Sequence, residues 1–198
     1  MGVKLAISLP GLMLAIVIHE FFHGLAAYFL GDDTAKLSGR LSLNPLKHFD
    51  LVGFIFLLVF RFGWAKPVPI NPRNFKNRKK DTIIVSLAGP FSNIVLAFII
   101  ALMLSHANIR HYLAIQILID ALWYNIMLGL FNLLPFPPLD GSKVLASLLP
   151  IKYEYVFYKY ERYLYIILVI LIATNSIDKL LRPMIEFVLN LLIRLIIR

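Results

Sequence analysis

The sequence predicts an all-α, multi-pass membrane protein, for two reasons. Hydrophobic residues occupy 60% of its 198 positions and the mean hydropathy is +0.78, whereas ordinary soluble domains are far less apolar. Long apolar stretches with few charges also recur along the chain, as expected of membrane-spanning helices. The length leaves room for about four to six helices, so we expect one integral-membrane domain over residues 1–198.

The apolar stretches predict about five to six transmembrane helices. The first ends at the polar run 31–33, and the one preceding the proline-rich run 135–138 must end there, because proline removes backbone donors and locks φ. The least regular stretch, 154–173, contains Glu161, Arg162 and a cluster of tyrosines typical of membrane interfaces. The predicted helices cover residues 3–30, 81–105, 109–134, 154–173 and 177–197, and a shorter apolar run covers 51–62.

Charge and cysteine content exclude several classes of protein. The chain has no cysteine, so disulfides, thiol catalysis and thiolate metal sites are impossible. Its net charge is +9, but in a membrane protein basic residues concentrate in cytoplasmic loops, and we expect no nucleic-acid partner. Lysine and arginine outnumber aspartate in residues 31–80. We therefore expect a lipid-embedded protein of the cell (plasma or inner) membrane with this stretch in the cytoplasm.

His19, Glu20 and His23 form an HExxH motif inside the first predicted helix. Residues four apart share a helix face, with Cβ atoms about 5–6 Å apart, so both imidazoles can reach one Zn²⁺ at about 2.0–2.1 Å. Glu20 can reach a metal-bound water and act as general base without being a ligand. Such groups are costly in an apolar span and are functional by default, so we expect one zinc ion per chain.

A catalytic zinc needs a third protein ligand, and Asp140 is the strongest candidate. It follows the prolines that end the helix at 109–134, and we expect Gly141 to let the backbone turn and aim the carboxylate inward. An Asp-Gly pair alone is more typical of a turn, so this assignment depends on the HExxH motif. Asp120 lies in the middle of its helix and is interpreted as an interhelical polar contact.

The depth of these groups constrains the topology. The two histidines lie roughly 10–17 Å from the membrane face where their helix ends, whereas Asp140 lies just beyond the end of another helix. They can meet only if residues 51–62 do not cross the membrane, and that run reaches about 18 Å, short of the roughly 30 Å hydrocarbon core. We predict a membrane-associated β or re-entrant segment there, with short strands at 41–43 and 68–70, and a site opening toward the cytoplasm.

Five stretches, in matching order and spacing, resemble the site-2 protease family of intramembrane zinc metalloproteases. They are HEFFH at 19–23, RLSLNP at 40–45, GWAKPVP at 63–69, GPFSN at 89–93 and NLLPFPPLDG at 132–141. The resemblance covers about residues 16–141, and we expect a compact form without PDZ or cystathionine-β-synthase modules.

The resemblance implies cleavage of peptide bonds in or near the transmembrane segments of single-span membrane proteins. It implies a catalytic core over about 3–141, followed by C-terminal helices over about 154–197. The implied site residues are the zinc ligands His19, His23 and Asp140, the general base Glu20, and Asn132 as a substrate or oxyanion contact. Asn93 is a further candidate for substrate contact, and interhelical hydrogen bonding beside Gly89 explains it equally well.

Two alternatives remain open. A membrane metalloprotease of another class would use a downstream glutamate as third ligand, and the candidates are Glu154, Glu161 and Glu186. A non-catalytic zinc-binding scaffold or a transporter is the other alternative, although a transporter would be expected to place polar residues along a route through several spans. Substitution of Asp140 tests the first alternative, and Glu20→Gln tests the second.

Overall fold

The computed structural model describes residues 2–53, 55, 65–107 and 109–196, with side chains from residue 7 onward. Its regular secondary structure is helical: α1 (Gly2–Phe29), α2 (Thr34–Leu37), α3 (Arg78–His106), α4 (Tyr112–Asn132), α5 (Asp140–Leu148), α6 (Ile151–Lys159), α7 (Glu161–Ala173) and α8 (Ser176–Ile196). Two short 3-10 helices, Pro45–Lys47 and Pro72–Asn74, lie between α2 and α3. The predicted all-α class is confirmed.

Three helices are long and apolar enough to cross a membrane, namely Ile7–Phe29 within α1, all of α3 and all of α4. They correspond to the predicted helices at 3–30, 81–105 and 109–134. The chain leaves helical structure after Asn132, as the following prolines require. Many large apolar side chains on these helices are exposed, as suits contact with lipid.

Close packing of α1, α3 and α4 forms the centre of the protein. Gly11 on α1 lies against Ala121 on α4, where an added Cβ would fall 2.7 Å from the backbone nitrogen. Small residues of this kind let helix backbones approach each other in a membrane. Nearby, the Ser8 hydroxyl donates to Asp120 Oδ2 across 2.6 Å, which confirms Asp120 as an interhelical polar contact.

The C-terminal region differs from the two helices predicted over 154–173 and 177–197. The single helix predicted over 154–173 is interrupted at Tyr160, and α7 has only 13 residues, about 20 Å against the roughly 30 Å that a span needs. At Asn175, whose φ is a left-handed 54°, α7 and α8 meet at 78°. By length and composition they make up one broken span or a re-entrant pair, so the described residues contain three to four candidate spans, against the five to six predicted.

α8 packs against α3 and α4. Its apolar face joins a buried core whose members are Ala97, Ile126, Leu130, Leu134, Leu139, Leu168, Ile177, Leu181, Ile185 and Leu192. This core lies beside the break that follows α4, so it supports the chain where Asp140 is placed.

The segment between α1 and α3 carries no strand in its described part, and the short strands predicted at 41–43 and 68–70 are not found. Pro67 and Pro69 have no amide hydrogen, which removes alternate donors from a strand edge. Backbone groups here bind side chains instead. Residues 51–53 are helical, and most of the re-entrant segment predicted at 51–62 lies outside the described residues.

Asp32 joins this segment to the end of α1. Its buried carboxylate accepts hydrogen bonds from the Thr34 hydroxyl at 2.5 Å, the Asn71 amide at 2.7 Å and Asn74 Nδ2 at 2.7 Å. Burial by itself would raise the pKa of the Asp32 carboxyl, but these hydrogen bonds hold that pKa below its usual range. The carboxylate is therefore a structural anion.

Asp32→Asn should lower the free energy of unfolding by about 1–3 kcal/mol at neutral pH, because buried donors lose a charged acceptor. The folded-state pKa lies below the unfolded value of about 3.9, so this contribution is complete above about pH 4 and is lost as pH falls through the folded-state pKa. Thermal unfolding in detergent across this pH range measures it, with the exposed neighbour Asp33→Asn as control. Equal effects of the two substitutions would contradict the role of Asp32.

Candidate metal centre

α1 presents His19 and His23 one helical turn apart. Both residues are buried, at 5% exposure, and their rings meet edge to face with centroids 4.5 Å apart. Their Nε2 atoms lie 3.0 Å from each other. The HExxH spacing therefore places both imidazoles at one point, as predicted.

The break after α4 brings Asp140 to the same point. Its Oδ2 lies 3.2 Å from His19 Nε2 and 2.9 Å from His23 Nε2. Gly141 contributes in a different way from the predicted turn, because it lies inside α5. An added Cβ on Gly141 would fall 2.2 Å from the Leu133 carbonyl oxygen, so its missing side chain allows a close approach of the chain on either side of the break.

Hydrogen bonds on the far side of the His19 ring determine which nitrogen faces the centre. Asn93 Nδ2 donates to the Ala15 carbonyl at 2.9 Å and to Asn125 Oδ1 at 2.8 Å. The other amide atom of Asn93 is therefore its oxygen, and it accepts from His19 Nδ1–H across 2.6 Å. The proton lies on Nδ1, so the Nε2 lone pair of His19 points to the centre.

His23 is oriented in the same way by α3. Its Nδ1–H donates to the Val85 carbonyl at 2.7 Å, which leaves its Nε2 lone pair free. α3 can come this close because it carries Gly89, where an added Cβ would fall 2.3 Å from His23 Nε2. Outer hydrogen bonds that select the histidine tautomer in this manner are typical of metal sites.

The donor set fits a zinc ion. The three inward atoms of His19, His23 and Asp140 all lie within 4.8 Å of one another and are buried. With both imidazoles neutral and protonated on Nδ1, all three atoms are acceptors, and a cation between them offsets their repulsion. Their separations of 2.9–3.2 Å are close to the roughly 3.3 Å edge of a tetrahedral site with ligands at about 2.0–2.1 Å.

Lys143 completes the environment of Asp140. Its ammonium donates to Asp140 Oδ1 across 3.0 Å, while Oδ2 faces the histidines. The two lie three residues apart, so they share a face of α5. Lys143 thus binds Oδ1 of Asp140, which leaves Oδ2 for the centre.

Glu20 stands beside this centre and does not belong to the group of three. Its half-buried carboxylate accepts a hydrogen bond at Oε2 from the Val68 amide, at 2.8 Å. The segment after α2 therefore orients the carboxylate that the sequence predicts to be the general base.

The two asparagines predicted to contact substrate lie in different surroundings. Asn132 ends α4, and its Nδ2 donates to the Leu128 carbonyl at 3.0 Å. Asn93 is completely buried, and both ends of its amide bind groups within the chain. These contacts agree with the interpretation of Asn93 as an interhelical hydrogen-bonding residue.

None of the described glutamates joins the two histidines. Glu154 forms ion pairs with Arg78 and Lys79 at the start of α3, and Glu186 lies 3.7 Å from Arg182 on α8. Glu161 begins α7 and is exposed. The alternative with a glutamate as third ligand therefore has no support in the described part of the chain.

Sequence reasoning missed three contributors to the centre: Asn125, the Val85 carbonyl and Lys143. Asn125 and Lys143 belong to no motif with a recognised spacing, and a backbone carbonyl leaves no trace in residue type. Asn125 alone carried a signal, as a polar residue within an apolar helix.

Comparison with known proteins supports the same chemistry. The model for peptidase family M50 matches residues 106–174. A protein of Bacillus subtilis (strain 168) named "Putative zinc metalloprotease YwhC" is 42% identical over 183 residues, which cover 88% of this chain and 84% of that protein. This chain belongs to peptidase family M50, the site-2 protease family. The resemblance predicted from the five motifs is confirmed, and this M50 peptidase is a zinc metalloendopeptidase in a membrane.

Two further relatives of this M50 peptidase have the same description. Rip2 of Mycolicibacterium smegmatis is 28% identical over 178 residues, covering 86% of this chain and 68% of Rip2. MJ0611 of Methanocaldococcus jannaschii is 32% identical over 142 residues, covering 70% and 69%. No solved structure gives a significant match.

Asp140→Ala should weaken zinc binding by more than about 100-fold, because a ligand has a larger effect than its outer hydrogen-bond partners. Glu154→Ala is the matched control, since it removes a buried carboxylate from outside the centre. Metal analysis of folded, dialysed protein distinguishes the two. Retained zinc in Asp140→Ala and lost zinc in Glu154→Ala would support the other class of metalloprotease.

Asn93→Ala should weaken zinc binding about 10–100-fold, because His19 loses the partner that holds its Nδ1 proton. Competition with a chromophoric chelator measures the affinity. Ser92→Ala is the control on the same helix, since among the described residues the Ser92 hydroxyl donates to the Gly89 carbonyl and touches no part of the centre. Equal affinities of the two variants would show that Asn93 does not orient the ligand.

Proposed function

We propose that this M50 peptidase uses one zinc ion to hydrolyse peptide bonds in or near the transmembrane segments of single-span membrane proteins. The observation that supports this most directly is the meeting of His19, His23 and Asp140 among helices of membrane-spanning length. Acceptors buried together in an apolar bundle are costly and serve function by default. The whole chain, residues 1–198, acts as one domain in this proposal.

The proposed roles follow from the contacts. His19, His23 and Asp140 hold the metal, and zinc bound there would supply a Lewis acid that polarises a carbonyl and lowers the pKa of a water. Glu20 has Oε2 bonded to the Val68 amide, so its Oε1 takes the proton from the attacking water. Glu20 then delivers that proton to the nitrogen of the leaving amine.

Asn132 and Asn93 receive different roles. Asn132, half-buried at the end of α4, turns its Nδ2 from the Leu128 carbonyl to the developing oxyanion. Asn93 positions His19 and does not touch substrate, because its amide is already bound on both sides. A substrate helix satisfies its own backbone, so it must unwind locally before a bond can reach these groups.

The proposed orientation rests on charge. The basic excess of residues 31–80 belongs on the cytoplasmic side of the cell membrane by the positive-inside rule. The ends of α1 and α4 and the start of α3 would then face the cytoplasm. Water, which is a substrate of the reaction, would enter from that side.

Glu20→Gln tests the function. Purified chain is incubated in detergent with a panel of single-span membrane proteins, with and without a zinc chelator, and cleavage is followed by gel and mass spectrometry. Glu20→Gln should reduce cleavage about 10²–10⁴-fold with zinc content unchanged, and the exposed Glu161→Gln should behave as the unmodified chain. Undiminished cleavage by Glu20→Gln would refute the proposed base, and no cleavage by zinc-loaded chain would refute the substrate class.

A further inference from the structure

The peptide group between Pro67 and Val68 is hydrogen-bonded at both ends. Its carbonyl oxygen accepts from Arg40 Nη2 across 3.2 Å, and its N–H donates to Glu20 Oε2 across 2.8 Å. A guanidinium, one peptide unit and a carboxylate thus form one continuous chain of hydrogen bonds.

Arg40 has no carboxylate within ion-pair distance in the described ranges. The residue is 9% exposed, and Nη2 also donates to the Lys66 carbonyl at 2.6 Å. A buried guanidinium is costly unless an anion compensates it. Glu20, one peptide away, is the anion to which its hydrogen bonds lead.

The segment 65–71, here named the strap, is fixed on both sides of this peptide. The Lys66 amide donates to the His48 carbonyl at 3.0 Å, and the Asn71 amide donates to Asp32 Oδ2 at 2.7 Å. Pro67 and Pro69 restrict φ on either side of Val68. The direction of the Val68 N–H bond is therefore set by the fold and does not depend on Glu20.

We propose that Arg40 is a positioning residue for Glu20, acting through the Pro67–Val68 peptide. A cation at the carbonyl oxygen polarises the peptide and strengthens its N–H as a donor. The strengthened donor holds Oε2, which directs Oε1 toward the water that is to be deprotonated. The inference rests on the proposed function, in which Glu20 is the general base.

The turnover experiment uses the full chain and the first single-span protein that the unmodified chain cleaves in the panel. Arg40→Met should lower kcat at least about tenfold, as expected when a catalytic group is misplaced, with KM and zinc content little changed. Arg40→Lys should recover part of the loss. The control is Lys47→Met, because Lys47 also donates to a backbone carbonyl, that of Gly39 at 2.7 Å, but does not touch the strap.

A second change isolates the peptide itself. Replacing Val68 by its α-hydroxy acid converts the N–H into an ester oxygen and keeps the side chain. This change should lower kcat as Arg40→Met does, and combining the two should lower kcat no further, because both interrupt one chain of hydrogen bonds. If instead the kcat loss of the combined variant equals the product of the two separate losses, Arg40 has only a general structural role and the inference is overturned.

Amide hydrogen exchange gives a readout without substrate. Between residues 66 and 70 only Lys66, Val68 and Ile70 carry an amide hydrogen, since the other two are prolines. Glu20→Ala and Arg40→Met should each speed exchange at Val68, and Glu20→Ala should leave Lys66 protected by His48. Exchange at Val68 that is unchanged in Arg40→Met would overturn the inference.

The outcomes separate this inference from the function on which it rests. If Glu20→Gln is inactive while Arg40→Met matches Lys47→Met, the proposed function stands and the role of Arg40 falls. If Glu20→Gln still cleaves, the general-base proposal falls, whatever Arg40→Met does.

Discussion

The arrangement of this protein depends on three mutually repelling acceptors held together in an apolar helix bundle. The lone pairs of His19, His23 and Asp140 converge, and their desolvation is tolerable only when a cation joins them and other groups satisfy their outer atoms. The outer atoms have such partners: Asn93 binds His19, the Val85 carbonyl binds His23, and Lys143 binds Asp140. A metal bound at this point would therefore join α1 to the start of α5.

Missing side chains make this convergence possible. Gly89 lets α3 lie against His23, and Gly141 lets the start of α5 lie against Leu133. Glycine inside a helix is destabilising by about 0.5–1 kcal/mol relative to alanine, and here the close contacts offset that cost. Helices in a membrane associate through packing and polar contacts, and Gly11 against Ala121 is such a contact between α1 and α4.

The segment after α1 solves a different problem, that of keeping non-helical backbone satisfied beside a membrane-embedded site. Side chains do what a strand partner would do elsewhere. Asp32 binds the Asn71 amide, Arg40 binds the carbonyls of the strap, and Glu20 binds the Val68 amide. The hydrogen bonds that stabilise this segment therefore also orient Glu20, the proposed base.

The sequence by itself determined the membrane class, the three long helices and the family, and it named His19, His23 and Asp140 as the candidate metal ligands, because apolar length and motif spacing are local properties. It failed within residues 154–173, which were predicted as one helix, because the break at Tyr160 leaves no signal in the composition of that stretch. The meeting of Asp140 with residues 121 and 117 positions earlier, the histidine tautomers and the link from Arg40 to Glu20 were decided only by tertiary structure. These depend on atoms from separate helices, on backbone carbonyls and amides, and on absent side chains, none of which has a sequence period.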